Sequence, residues 1–140
     1  MKEDPIFAAA RKRAQLAISK ATCRGMSNKE TSCFDFEKKA KDDSVYAIYA
    51  PGEAAEFEFT DDVTFNTINI RFSTHRVWKC SFWAEIDGKE TEIHPLTVFD
   101  VPINKTHQIK VTATTTKILR VKPHPNFNTK IAYLSLDYVV

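Results

Sequence analysis

Thr67-Ile-Asn-Ile-Arg-Phe-Ser-Thr-His-Arg-Val-Trp-Lys-Cys-Ser-Phe-Trp-Ala-Glu-Ile-Asp-Gly88, continued by Lys89-Glu-Thr-Glu-Ile93, decides how this chain is read. Ile68, Ile70 and Phe72 alternate with Thr67, Asn69 and Arg71. After a polar link, Cys80, Phe82, Ala84 and Ile86 alternate with Ser81, Trp83, Glu85 and Asp87. Period two places alternate side chains on opposite faces, so both runs are strands with one buried face. The link Ser73 to Lys79 crowds His75, Arg76 and Trp78 into a loop, where side chains can reach a ligand without disturbing the sheet. Asp87-Gly88 is a strong hairpin signal.

Working downstream, Glu90 to Ile93, Leu96 to Val101, Thr106 to Ala113, Lys117 to Lys122 and Ile131 to Val140 read as further strands, with breaks at Pro95, Pro102 and the segment Pro123 to Thr129. Working upstream, Val45 to Ala50 is apolar on both faces, and Ala55, Phe57 and Phe59 alternate with Glu56 and Glu58 until Asp61-Asp62 interrupts. That makes about eight short strands with no helical periodicity after residue 45. The sheets are therefore antiparallel, and the expected fold is all-β, a two-sheet sandwich or jelly roll.

The N-terminal part is different. Pro5 to about Ala21 has the pattern of a helix, with Asp4 as its cap, Pro5 in the first turn and Gly25 as its stop. Ile6, Ala10, Ala14 and Ala17 belong to a thin stripe of small apolar residues, which predicts a helix on the domain surface or docked on a partner chain. Residues 1–41 hold ten Lys or Arg against five Asp or Glu, a balance of +5 within a chain of net charge +2. We divide the chain into residues 1–43, helix and charged loop, and 44–140, the sandwich, within a single globular domain of 140 residues.

Composition narrows the function. With 43% apolar and 27% charged residues and no window of ~20 apolar residues, a membrane span is excluded. Acidic residues precede the first apolar run, the wrong order for a secretory signal, so the chain is either intracellular or separated from its signal. Cys80 has the apolar parity of its strand and reads as a buried thiol, whereas Cys23 and Cys33 are spaced to close a short loop in an oxidising compartment. Nucleophile-elbow, phosphate-loop and metalloprotease spacings are absent. The pairs Glu56/Glu58 and Glu90/Glu92 read as solvated strand faces, and the four histidines are scattered. No enzyme, metal site or cofactor is expected. Nucleic-acid binding rests only on the charge of the N-terminal part, and a solvated helix face is the favoured reading of its basic residues.

Three segments carry a family resemblance. They are Ala55 to Phe72, Cys80 to Ile93, and Lys117-Ile-Leu-Arg-Val-Lys-Pro123 followed by Ile131-Ala-Tyr-Leu-Ser-Leu-Asp-Tyr138. Together they resemble the galactose-binding-like jelly roll of discoidin or coagulation-factor type C domains and related carbohydrate-binding modules. The Asp-Gly-rich loop that often holds structural calcium in that family is replaced here by the helix and the Lys-rich stretch. The resemblance implies a noncatalytic, lectin-like module binding a glycan or glycoprotein. Its ligand would be met by His75, Arg76 and Trp78, with Glu58 as carboxylate and His124, Asn126 and Phe127 in a second loop. The alternative is a protein-interaction or assembly domain of a virion, phage tail or surface structure, docked or self-associated through the helix. Trp83, opposite in parity to Phe82, faces either a second layer or solvent.

Overall fold

In a computed structural model the structure describes residues 4–24, 47–49, 54–72, 77–100, 106–123 and 129–139. Helix α1 spans Pro5–Ala17 and tightens into a 3-10 turn at Ile18–Lys20. Seven strands follow: β1 Thr22–Arg24, β2 Ala47–Tyr49, β3 Ala55–Phe72, β4 Val77–Ile86, β5 Lys89–Asp100, β6 His107–Pro123 and β7 Thr129–Asp137. All described pairings are antiparallel.

Two of the strands are much longer than the sequence pattern predicts. β3 has 18 residues and runs through Asp61-Asp62, and β6 joins the two expected strands 106–113 and 117–122. The residues that look like breaks are bulges. Between Glu58 and Val63 on β3 the partner advances only from Ile118 to Thr116, and a second shift falls between Phe65 and Thr67. At the second shift β3 advances two residues while β6 advances four, from Thr114 to Lys110, and the buried parity of β3 changes from Val63 and Phe65 to Ile68, Ile70 and Phe72. The Asn66 amide lies at that shift and clasps the C-terminal segment, donating to the Val139 carbonyl and accepting from the Val139 N–H at 2.9 Å. β5 likewise continues through Pro95. Among the described residues it pairs only with β4 and forms the edge of the sheet, where a missing N–H is tolerated.

These registers fold one continuous sheet into two layers. The first half of β3 lies between β1 and the second half of β6, which continues to β4 and β5. The second half of β3 lies between β7 and the first half of β6, with β2 outside β7. Laid flat, β3 would be about 60 Å long. Yet only residues 73–76, with a reach of about 18 Å, connect its end to a strand that pairs with Leu119 to Pro123 of β6, at the other end of the β3–β6 ladder. The long strands must arch at their bulges. The outcome is an antiparallel β-sandwich with an N-terminal helix.

One core fills it. Phe57, Phe65, Phe72, Phe82, Ile68, Ile70, Leu119, Ile131, Leu134 and Leu136 are fully buried. Here the helix departs from expectation. Ala14, Ala17, Ile18 and Ala21 join this cluster, at 0, 6, 4 and 0% exposure. Most of the stripe that seemed free to dock a partner is thus spent on the chain's own sheet, while Ile6 stays 79% exposed and Ala10 half-buried. Small side chains explain the misreading, since they bring the helix axis close to the sheet instead of advertising a broad apolar face. Arg11 Nε and Gln15 Nε2 donate to Asp137 Oδ1 at 3.1 and 3.3 Å, and Phe7 packs on Tyr138 with ring centroids 4.8 Å apart. The Asp4 carboxylate caps the helix by accepting from the Ile6 N–H at 2.8 Å, as anticipated. The helix gives way before Gly25 because Thr22 to Arg24 pair with Glu56 to Glu58 and cover the edge of β3.

Candidate functional site

The strand registers set out the two ends of the sandwich. Phe72, the last residue of β3, lies opposite Ile131, and Cys80 near the start of β4 lies opposite Pro123, the last residue of β6. The strand ends that flank residues 73–76 and 124–128 are therefore neighbours. His75, Arg76, His124, Asn126 and Phe127 themselves lie outside the described residues. The Trp78 backbone is in β4 opposite Phe99, and its side chain also lies outside them, as do Cys33 and the Cys23 side chain.

Glu58 does not join this end. It pairs with Ile118 beside the arch and lines a shallow cavity with Asp62, Glu85, Asp87, Gly88 and Lys117. Seven residues of β4, about 23 Å of strand, separate Glu85 in that row from Trp78. The resemblance implies Glu58 as the carboxylate of the loop site, but the arch sets it at the opposite end of the sandwich from Phe72.

The outer face of β6 and β4 carries a charged network that the sequence did not announce. Arg120 Nε donates to Glu56 Oε1 at 2.9 Å, and its terminal nitrogens reach Glu85 Oε2 and Glu90 Oε1 at 3.4 Å each. Lys122 Nζ lies 2.7 Å from Glu90 Oε1. Burial alone would lower the Arg120 pKa, but the hydrogen bond and charge of Glu56, with Glu90 and Glu85, raise it above its usual value. The hydrogen bond from Lys122 in turn holds the Glu90 carboxyl below the ordinary carboxylate range. Glu56, half-buried, and Glu90, exposed as the solvated-face reading expects, are thus both members of this network.

Trp83 stands on this outer face, half-buried. Its Nε1 donates to Ser81 Oγ at 2.8 Å, and Lys122 Nζ sits 4.3 Å from the ring centroid. Its polar edge and one π face thus have partners. Cys80 is buried as expected, and burial pushes its thiol up to about 12.

No family model matches the chain, and neither does any curated protein. Solved structures do match in fold. The family 32 carbohydrate-binding module of Clostridium perfringens NanJ, solved in complex with galactose, is 14% identical with a TM-score of 0.66, over 86% of this chain and 96% of that one. The CBM32 module of AlyQ, in complex with 4,5-unsaturated mannuronic acid, is 16% identical at a TM-score of 0.61, over 70% and 81%. SpGH29 is 14% identical at 0.71 over 96% of this chain, which spans only 30% of that larger protein. The fold is the galactose-binding-like β-sandwich of such modules. No helix among the described residues is long and apolar enough to cross a membrane.

Proposed function

We propose that the chain is a noncatalytic glycan-binding module whose ligand sits at the loop end of the sandwich. The observation that carries this reading is the likeness to the galactose-bound NanJ module, which extends over nearly that module's whole length. The adjacency of the strand ends around residues 73–76 and 124–128 supports it. A pyranose offers C–H patches that stack on an aromatic ring and hydroxyls that require fixed donors and acceptors. Trp78 supplies the ring, His75 and Arg76 the directional hydrogen bonds, and His124, Asn126 and Phe127 the second wall. Glu58, at the arch, takes no part. The assembly reading is weakened, because two residues of its docking stripe, Ala14 and Ala17, are covered by the chain's own core.

The test is one variant read two ways. On a glycan array and by titration with galactose, Trp78→Ala abolishes binding while the melting temperature hardly moves. Retained binding, together with the loss of about 3–5 kcal/mol typical of a truncated core aromatic, would refute the platform role of Trp78.

A further inference from the structure

At the arch end, away from the loops, an open groove runs between α1 and the bulge of β3. Its cavity measures about 370 Å³, within the range of small-molecule sites. Ala9, Lys12, Arg13, Leu16 and Lys20 line one side, spaced so that they share the helix face turned from Ala14. Phe59 to Val63 line the other, with Asp61 and Asp62 exposed across from the cations. Among the described residues, Lys12, Arg13, Lys20, Asp61 and Asp62 have no ion-pair partner, although charges of both signs line one cavity. The bulge explains the acidic wall, since the extra residues between Glu58 and Val63 lift Asp61 and Asp62 out of the ladder. Leu16, 36% exposed, adds an apolar patch between the charged walls.

Three cations facing two carboxylates across a cavity of this size match a ligand with one anionic group and several hydroxyl donors. We propose that this groove is a second binding site for an acidic sugar unit, its carboxylate toward Lys12, Arg13 and Lys20 and its hydroxyls donating to Asp61 and Asp62. The charge pattern asks for the carboxylate and the donors; the choice of a sugar to carry them rests on the glycan-binding reading above.

Galacturonate and galactose test it, because they differ only in the oxidation of one carbon. In amide NMR titrations of the full chain, galacturonate shifts signals of residues 12–20 and 59–63, galactose leaves these unmoved, and added salt weakens the response. The double reversal Lys12→Glu, Lys20→Glu lowers galacturonate affinity about tenfold or more with an otherwise unchanged spectrum. Galacturonate shifts confined to residues near 72–80 and 123–131 would overturn the groove site and leave the glycan-binding reading standing. Galactose binding at the loop end with no response to galacturonate anywhere would do the same. Silence toward every sugar would sink both, and a response to glycine in place of either sugar would show an amino-acid site and overturn the proposal.

Discussion

Truncating Ile18 to Ala separates a helix built into the core from one that merely decorates it. Ile18 is 4% exposed and packs in the same cluster as Ala14, Ala17 and Ala21. Ile18→Ala removes three carbons, worth about 2.4 kcal/mol of transfer at roughly 0.8 per methylene, and leaves a cavity that adds to the loss. We expect a total of about 3 kcal/mol. For a domain of 140 residues this corresponds to a fall of about 10 °C in Tm, or of 1–2 M in the urea midpoint at about 2 kcal/mol/M. Ile6→Ala, at a site 79% exposed, serves as the control and should change stability by less than about 0.5 kcal/mol. Urea titrations followed by tryptophan fluorescence give both numbers. Equal, small losses for the two variants would refute the argument, because the helix would then be dispensable to the core and free to serve another chain.

Two further outcomes follow from the outer face and the buried thiol. Arg120→Ala strips Glu56 of its hydrogen bond on a part-buried face and should cost about 1–3 kcal/mol in the same titration at pH 7; the deficit should shrink as acid protonates the carboxylates, and a deficit independent of pH would contradict an ionic origin. Because the Cys80 thiol is raised to about 12 when folded against about 8.5 unfolded, only the unfolded chain loses its proton between those values; stability is complete below about 8.5 and falls above it by up to about 1.4 kcal/mol per pH unit, a slope that Cys80→Ala should reduce by that amount.

The contrast between what was legible and what was not has a physical cause. β4 was readable from Cys80 onward, where Cys80, Phe82 and Ala84 are buried while Trp83 is half-buried on the outer face, as their alternation required, whereas Val77 to Lys79, expected in the loop, already belong to the strand. The arch of β3 was not, because a bulge and a strand end attract the same polar residues, and Asp61-Asp62 satisfies either. Only pairing across the sheet distinguishes them, and that pairing is set by β6. Arg120 escaped notice for the same reason, its carboxylates being 64, 35 and 30 residues away in sequence. The consequence reaches the candidate sites. Once β3 arches, Phe72 and Glu58 belong to opposite ends of the sandwich, so the reading that gathered Glu58 with His75, Arg76 and Trp78 divides in two. The sugar site proposed above goes with the Phe72 end, without Glu58. At the arch end, Lys12, Arg13 and Lys20 of the basic helix line one groove with the carboxylates of the bulge, Asp61 and Asp62.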